Sequence, residues 1–388
     1  MSVGVNSCST CYIFAMKNDS TIKLEGASSA EKSKFRKALL KWFDAHQRDL
    51  PWRKNRTPYR VWISEIMLQQ TQVATVIDYY KRFMKRFPTV KKLAAADQGE
   101  VLKLWEGLGY YRRARQLHAT AQLVVENHKG KFPETFDEVL ALPGIGRYTA
   151  GAILSISLDQ PLPILEGNTI RLFARLLPML VDPKTTASQK TLWQFSESLV
   201  PKKRAGDFNQ ALMELGSEIC TPKSPKCSEC PIIKFCPTFH DGLQEKIPAP
   251  SVKMKYESIH EAVVVVGKNI GTARAKYLIR LCGAGERWTG LWDFPRFELG
   301  DRVAESWLPD QIKELCGLNV IVGSASERMK HTVTRFRITL DVFRSVEVSG
   351  RLRSKANETF RWASVEELSE LPMSSTGRKI ADRVCGRG

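Results

Sequence analysis

The sequence predicts a mainly α-helical domain followed by a smaller α/β domain, because the residue pattern changes once along the chain. Residues 31–240 carry apolar residues at helical spacing, as in Val61–Met84, where Trp62 and Ile66 begin a series of such positions. Proline, glycine and short polar groups interrupt this region, and no alternating strand pattern precedes Ser251. The first half is therefore expected to be all-α.

The second half has residue patterns that are typical of β-strands. Apolar or alternating runs of strand length stand at 262–266, 277–281 and 335–342, and helical spacing returns at 307–316 and 365–371. The expected organisation is a disordered tail at 1–30, the all-α domain at 31–240, a proline-bearing linker at 241–256 and the α/β domain at 257–388.

The chain of 388 residues has a formal net charge of +18, and 43% of its residues are hydrophobic, which is enough for packed cores. The positive charge favours a polyanionic partner, because each neutralised phosphate releases counterions. A basic surface that serves only solubility is the alternative. The sequence contains no apolar run of about 18 residues and no secretory signal in its first 30 residues. We therefore expect a cytoplasmic protein without a membrane partner, associated with the nucleoid if it is bacterial.

The sharpest local motif is LPGIGRYTAGAI, in which Gly144 and Gly146 flank one apolar residue and a helix begins at about Arg147. Glycine permits a tight turn, and the start of a helix offers unpaired N–H groups to an anion. A phosphate of duplex DNA would fit there, although a Gly-x-Gly pair alone more often marks an ordinary turn.

Four cysteines form the second motif, with spacing C-x6-C-x2-C-x5-C, at Cys220, Cys227, Cys230 and Cys236. Four thiolates within so short a segment can enclose one metal centre, and spacing alone leaves zinc and an iron–sulfur cluster open. The pair Cys8 and Cys11 has no second pair nearby, and its role is open.

The third motif is WISEIMLQQTQV, where Glu65, Gln69 and Gln72 are spaced to share one helical face, with Gln70 beside them. A carboxylate among apolar neighbours is expected to have a raised pKa, as a general acid requires. A solvated polar face is the alternative from these residues alone.

Taken together and in this order, the three motifs resemble those of the MutY-type adenine DNA glycosylases. The match runs nearly without gaps over residues 31–240 and more loosely over the C-terminal domain. The resemblance implies a helix-hairpin-helix glycosylase domain, a loop that binds a 4Fe–4S cluster through the four cysteines, and a Nudix-like C-terminal domain. It also implies that Glu65 protonates the leaving adenine and that Gln69 and Gln70 contact DNA at the lesion.

Two further segments extend the resemblance. Arg48, Leu50, Trp52 and Arg53, in RDLPWR, match the segment that forms the adenine pocket in the family. Tyr110, in GLGYYRRARQL, matches an aromatic residue that wedges into the base stack and supports flipping of the target nucleotide.

Two positions concern the chemistry. Tyr148 stands where endonuclease III-type relatives carry the lysine that forms a Schiff base, so a glycosylase without strong lyase activity is expected. Glu166, in LEGN, replaces the aspartate that stabilises or attacks the sugar cation in the family, and Asn168 would support it. We expect Glu166 to retain this role with altered efficiency; the rival is a slow or inactive binder.

The C-terminal domain resembles the Nudix-like domain that inspects 8-oxoguanine in this family, through the motif Gly290–Pro295. Glu314 and Asp310 are the acidic residues on the helix where a working Nudix pyrophosphatase carries several glutamates, so that activity is not expected. The reading loop of the family aligns with Val333, Thr334 and Arg335, of which Thr334 can donate a hydrogen bond and Arg335 carries a permanent charge.

The resemblance thus implies a monomeric enzyme that excises adenine opposite 8-oxoguanine or guanine in duplex DNA and leaves an abasic site. Two alternatives remain open. One is a thymine-mismatch glycosylase of the same fold, and the other is a protein that binds mismatches without catalysis.

Overall fold

The computed structural model describes residues 21–249, 255–354 and 358–386. Most of the predicted tail, with Cys8 and Cys11, lies outside the described residues. Contacts divide the chain into two compact units, with breaks after Arg48, after Leu158 and within the stretch 250–254. The first unit therefore combines the N-terminal helix with residues from Asp159 onward, and the second combines the intervening helices with the α/β domain.

The helical half follows the prediction that residues 31–240 are all-α. Its helices are α1 (Ser29–His46), α2 (Pro51–Lys54), α3 (Pro58–Leu68), α4 (Val73–Arg86), α5 (Val90–Ala94), α6 (Gln98–Trp105), α7 (Arg112–His128), α8 (Phe136–Leu140), α9 (Arg147–Leu158), α10 (Gly167–Leu176), α11 (Thr186–Leu199), α12 (Ala205–Glu218) and α13 (Pro237–His240). Short 3₁₀ helices at Cys227–Glu229 and Ile233–Phe235 lie in the cysteine segment.

The first unit has a core of large apolar side chains from α1, α10, α11 and α12, among them Phe35, Phe43, Phe173 and Phe208. Helix α1 begins after a capping box in which the side chain of Ser28 accepts from the backbone of Glu31 and the side chain of Glu31 accepts from that of Ser28. Burying these side chains supplies most of the stability of such helices, because short isolated helices are marginal in water.

Both ends of the predicted helical domain need correction. Leu24 is buried in the core of the first unit, and the amide of Ile22 donates to the carbonyl of Lys234, so residues 22–30 pack on this unit and are not a disordered tail. The predicted linker begins later than residue 241, since Ile247 is buried and its carbonyl accepts from Arg175. Both segments are mostly polar, so their composition did not indicate that Leu24 and Ile247 would be buried.

The predicted common helical face of Glu65, Gln69 and Gln72 is also wrong. Helix α3 ends at Leu68, Gln69 is its C-cap, and Gln72 is the N-cap of α4. Between them Gln70 has a φ of +56°, which no α-helix accommodates. The apolar spacing continues across this break because both helices bury one side, so periodicity alone did not reveal it.

The α/β domain contains two sheets. Its strands are β1 (Glu257–Val265), β2 (Gly267–Lys268), β3 (Lys276–Leu281), β4 (Trp292–Asp293), β5 (Arg296–Glu298), β6 (Leu318–Val322), β7 (Glu327–Val333), β8 (Phe336–Gly350) and β9 (Thr359–Ser364), with helices α14 (Ala304–Cys316), α15 (Val365–Glu370) and α16 (Ser375–Val384). One sheet has the order β5-β1-β8-β6, with β7 paired to β8, and the pair β1–β8 is parallel. In the other, β2, β4 and β9 each pair antiparallel with β3.

Two apolar clusters pack against the sheets of this domain. One surrounds Val263, Phe294 and Leu340 and includes Ile380 of α16. The other surrounds Val264 and includes residues of α14 such as Leu308 and Ile312. Neighbouring residues of β1 contribute to different clusters, because successive side chains of a strand point to opposite faces. No helix in the described part of the chain is long and apolar enough to cross a membrane.

Candidate active site and DNA-binding elements

A buried carboxylate meets a phenol where α3 packs against α9. Glu65 is 5% exposed, and the Tyr148 hydroxyl donates to its Oε2 at 2.5 Å. One turn further along, the side-chain amide of Gln69 reaches Thr149 Oγ1 at 3.5 Å. Burial holds this carboxyl group away from water and the Tyr148 hydroxyl orients it, so a protonated Glu65 can deliver its proton to a base bound beside it.

Arg113 was not predicted as a site residue, although it organises this region. Its guanidinium donates to the carbonyls of Ile66 and Gln69 at the end of α3, and also to the carbonyl of Gly109. Cations at a helix C-terminus satisfy carbonyls that have no partner within the helix. Burial lowers the pKa of Arg113 to about 10, which still leaves it charged near neutral pH. Arg113 thereby fixes the end of the Glu65 helix.

The predicted wedge residue lies in the connection between α6 and α7. Tyr110 is 51% exposed and has a φ of +49°, which is unusual for an aromatic residue. Arg113 lies 5.5 Å from the centre of its ring. An exposed aromatic side chain on a backbone held in this conformation can enter a base stack without first leaving a protein core.

The predicted hairpin joins α8 to α9. Gly144 has a φ of +78°, as the tight turn requires, and the side chain of Gln116 would be 3.2 Å from an added Cβ. Gly146 has an ordinary φ and open space around it. Both glycines are exposed, while Ile145 between them is buried. The start of α9 thus faces solvent, where its N–H groups can meet an anion.

Glu166 is the N-cap of α10, and its carboxylate faces its own helix. Oε2 accepts from the amide of Asn168 at 2.9 Å, and Oε1 accepts from the amide of Thr169 at 3.0 Å. The Thr169 side chain accepts from the Glu166 amide, which completes a reciprocal capping box. Burial raises the pKa of Glu166, and the two backbone hydrogen bonds oppose that increase. Each oxygen retains a lone pair that can meet a second partner.

Arg171 was also missed by the sequence analysis, and it connects Asn168 to the cysteine segment. Its guanidinium donates to Asn168 Oδ1 at 3.0 Å, to the Cys220 carbonyl at 2.8 Å and to the Gly216 carbonyl at 2.6 Å. A Cβ on Gly216 would lie 2.7 Å from Cβ of Asn168, so only glycine permits this approach of α12. The three-residue spacing between Asn168 and Arg171 on one helix was the available signal.

The four cysteines of the predicted cluster loop line one cavity. Arg175 donates to Cys220 Sγ at 3.2 Å and to the Thr221 carbonyl at 2.9 Å. Burial raises the pKa of Cys230 to about 12, so its thiolate needs an electron-poor partner. Within the residues described, no three potential ligands converge as a single ion would require. A four-iron cluster binds each cysteine through a separate iron, so the thiols of this cavity fit it without such convergence.

The RDLPWR segment is divided between the two units. In the first unit, Arg48 makes paired hydrogen bonds of 2.8 Å to Glu214, and its side chain is 33% exposed. In the second, Leu50 and Trp52 are buried, and Trp52 meets the ring of Tyr80 edge-on at 5.5 Å. Arg53 is partly exposed in α2. The carboxylate partner of Arg48 could not be foreseen, because 166 residues separate the pair.

The predicted reading loop is the turn of a hairpin. Val333 pairs with Phe336, so Thr334 and Arg335 form a two-residue connection between β7 and β8. Thr334 is exposed with a φ of +51°, a strained conformation for a β-branched residue. Arg335 is exposed and lies 3.2 Å from Glu257.

The residues singled out for the Nudix-like resemblance lie on α14 and at the start of the Gly290–Pro295 motif. Asp310 and Glu314 are both exposed on α14. Gly290, which opens the predicted Nudix motif, has a φ of +82°, and Cδ1 of Leu102 in α6 would lie 3.3 Å from an added Cβ. The start of this motif is therefore a point of close packing between the α/β domain and the helices of its unit.

Three segments match known protein families. Residues 63–198 match the HhH-GPD superfamily of base excision DNA repair proteins, residues 220–236 match the iron–sulfur binding domain of endonuclease III, and residues 270–383 match a NUDIX domain. These matches confirm the predicted helix-hairpin-helix and Nudix-like fold classes and assign the four cysteines to a 4Fe–4S cluster.

One solved structure is similar to the helical half. It is a thermostable thymine-DNA glycosylase that is 29% identical, with a TM-score of 0.51, and the match covers 55% of this chain and 98% of that chain.

Curated relatives are named adenine DNA glycosylase. That of Rattus norvegicus is 49% identical over 53% of this chain and 42% of its own length, so the chain spans less than half of this relative. That of Buchnera aphidicola subsp. Schizaphis graminum is 40% identical over 71% of this chain and 78% of its own length. That of Schizosaccharomyces pombe is 33% identical over 92% of this chain and 91% of its own length. The chain therefore belongs to the adenine DNA glycosylase family.

Proposed function

We propose that this protein is a monofunctional glycosylase that removes adenine opposite 8-oxoguanine or guanine in duplex DNA and leaves an abasic site. The observation that carries the proposal is the hydrogen bond between Tyr148 and buried Glu65. It supplies a carboxyl group beside a phenol, and Tyr148 occupies the position where a lyase would need an amine.

Glu65 is the general acid of the proposed reaction. Cleavage of the bond between the sugar and adenine leaves both bonding electrons on the base, so a proton delivered to the base makes it a better leaving group. Tyr148 orients the carboxyl group through its hydroxyl. Gln69 and Gln70 directly follow the end of the Glu65 helix and contact DNA at the lesion.

Glu166 stabilises the cationic sugar, or attacks it in a transient covalent step that water then reverses. Its carboxylate must be ionised for either role. Asn168 holds it through a backbone amide, and Arg171 holds the side chain of Asn168. The rival possibility, that the longer side chain of glutamate leaves only a binder, is an outcome of the test below.

The 4Fe–4S cluster has a structural role in the proposal, because four cysteines leave no open coordination position for substrate. Arg175 and Arg171 fix the loop that carries it, through the sulfur and the carbonyl of Cys220 respectively.

The DNA-binding residues have distinct proposed roles. The hairpin at Gly144 and Gly146 binds a backbone phosphate, and Tyr110 enters the base stack. Thr334 and Arg335 inspect the opposite base. The residues of RDLPWR named above form the adenine pocket. The proposal includes a monomeric protein that acts in the cytoplasm.

Single-turnover cleavage of three duplexes tests the proposed function, with hot alkali to reveal abasic sites. The duplexes carry adenine opposite 8-oxoguanine, adenine opposite guanine, and thymine opposite guanine. We expect the adenine-containing strands of the first two duplexes to be cleaved only after alkali, and the duplex with 8-oxoguanine to react faster than the duplex with guanine. Cleavage of the thymine strand alone would identify a thymine-mismatch glycosylase, and tight binding without cleavage would identify a binder. Strand cleavage without alkali would contradict the monofunctional assignment.

A further inference from the structure

The loop at Gly107–Tyr110, here called the Tyr110 loop, is held in an unusual backbone conformation. Gly107, Gly109 and Tyr110 have φ values of +97°, +71° and +49°. Tyrosine adopts such a value only where the surrounding structure determines it. The contacts that fix this loop therefore decide where the exposed ring of Tyr110 points.

Part of this support comes from the helices. The Tyr79 hydroxyl donates to the carbonyl of Glu106 at 2.6 Å, and Trp105 Nε1 donates to the carbonyl of Gly109 at 3.1 Å. Arg113 donates to the carbonyls of Leu108 and Gly109. These bonds satisfy the carbonyls on both sides of the loop. The side chain of Glu106, immediately before it, accepts from Lys103 Nζ of α6 through Oε2 at 3.3 Å, which leaves Oε1 for a second partner.

That partner comes from the α/β domain. Arg378 of α16 donates from Nε to Glu106 Oε1 at 2.6 Å and from Nη2 to Oε2 at 3.3 Å. The two side chains are only 18% and 13% exposed. Arg378 also donates to the carbonyls of Leu368 and Leu371, which tie it to the C-terminal part of α15. A two-point ion pair shielded from water fixes direction as well as distance.

Two more bonds join the same segments. Lys103 Nζ donates to the Ser369 carbonyl at 2.6 Å. The hydroxyl of Tyr111, directly after the loop, donates to the Met373 carbonyl at 3.2 Å and accepts from the amide of Gly107 at 3.2 Å. Residues on both sides of the Tyr110 loop are thus fixed to the last turn of α15 and to the segment that follows it.

We propose that Glu106 is a positioning residue through which Arg378 of the α/β domain sets the conformation of the Tyr110 loop, so that the domain contacting the opposite strand controls insertion of Tyr110 into the base stack. The role rests on the proposed function, because it assigns a task in flipping the target adenine. Its chemical basis is a paired, partly buried carboxylate and guanidinium at the base of the loop.

The test uses the full chain with Glu106→Gln, Arg378→Met and, as a milder change, Tyr111→Phe, which removes one hydroxyl. Fluorescence of 2-aminopurine placed beside the target adenine follows unstacking directly. We expect the unstacking signal and the single-turnover rate to fall about tenfold or more, with duplex Kd within about threefold, because a shift of about 1 Å at a positioned group is costly. Arg378→Lys, which keeps one ionic contact, is expected to recover part of the signal.

Arg361→Met is the matched control, because Arg361 pairs with Glu367 inside the α/β domain and forms no ion pair with Glu106. It should match the wild type in unstacking and rate. Wild-type unstacking in all three loop variants would overturn the proposal. A lower unfolding temperature and weaker duplex binding, with no separate effect on unstacking, would also overturn it. If the wild type releases no adenine, the proposed function fails, while the unstacking comparison still decides the role of Glu106.

Discussion

The carboxylate of Glu166 accepts two backbone hydrogen bonds from its own helix, and this geometry determines what a shorter side chain should do. Aspartate is a better N-cap than glutamate, but it withdraws the carboxylate by roughly 1.5 Å. Because we assign Glu166 a working role, we expect Glu166→Asp to change the single-turnover rate on adenine opposite 8-oxoguanine by no more than about threefold, since the capping turn can adjust to keep the shorter carboxylate against the amides of Asn168 and Thr169. A rise of tenfold or more would mean that the natural glutamate had impaired catalysis.

The pH dependence offers a second measurement at the same residue. Burial raises the pKa of Glu166, and the ionised form is the one that stabilises the sugar cation. The rate should therefore decline as the pH falls through this raised value, beginning at a higher pH than for an exposed glutamate. Duplex binding measured over the same range serves as the control, and an unchanged rate down to the ordinary pKa of glutamate would contradict this role.

Tyr148 provides a separate prediction, because its hydroxyl can be removed without loss of the ring. Tyr148→Phe removes the hydroxyl that donates to Glu65 Oε2 at 2.5 Å, and we expect the single-turnover rate to fall about 10- to 100-fold with little change in duplex Kd. Tyr59→Phe is the control, since Tyr59 also carries a buried hydroxyl, bonded to the Phe87 carbonyl at 2.7 Å, in the helix of Glu65. Equal effects of the two substitutions would show that only stability had changed.

Individual residues show which parts of the site could be predicted from the sequence. Glu65 and Tyr148 were identified by resemblance, and they prove to be hydrogen-bonded across 83 positions of the chain. The partners of the named residues were not identified. Arg113 lies in the GLGYYRRARQL segment but was not singled out there, Glu214 lies in no motif, and both reach their contacts only through the tertiary fold. Sequence spacing could have indicated Arg171, which stands one helical turn after Asn168.

At the scale of elements, the hairpin before α9 allows a matched comparison. Gly144→Ala places a Cβ at a φ of +78° and 3.2 Å from Gln116, whereas Gly146→Ala meets no atom within 4 Å. We expect Gly144→Ala to cost about 1–2 kcal/mol of stability and to weaken duplex binding about tenfold, because the strained turn displaces the N–H groups of α9. Gly146→Ala should leave stability nearly unchanged. Denaturant titration measures the stability and fluorescence anisotropy measures duplex binding. Equal stability losses in the two variants would show that the backbone conformation of Gly144 is not the cause.

The types of element could be predicted from periodicity, but several boundaries could not. The strand runs at 277–281 and 335–342 correspond to β3 and β8. Tyr277, Leu278 and Ile279 of β3 are all buried, because both faces of this strand are covered by apolar clusters. The break between α3 and α4 was missed, because the apolar residues before and after Gln69–Gln72 keep helical spacing although the backbone turns at Gln70. Turns that contain neither glycine nor proline leave little trace in a sequence.

At the scale of the whole molecule, the net charge of +18 makes a quantitative prediction about binding. If the protein neutralises about four or more phosphates, duplex affinity should fall about 100-fold or more between roughly 50 and 200 mM salt. Anisotropy titrations at several salt concentrations measure the slope. A slope near zero would show that the basic surface serves solubility rather than DNA binding.

The most direct measurement of the central claim is the release of free adenine from a duplex with adenine opposite 8-oxoguanine, compared between the wild type and Glu65→Gln. Glutamine preserves the shape of Glu65 and an acceptor for Tyr148, but it has no acidic proton. We predict stoichiometric adenine from the wild type, a loss on the order of 100-fold or more in the variant, and closely similar duplex affinities. Equal adenine release from both proteins would remove Glu65 from the mechanism, and no adenine from the wild type would contradict the proposed activity itself.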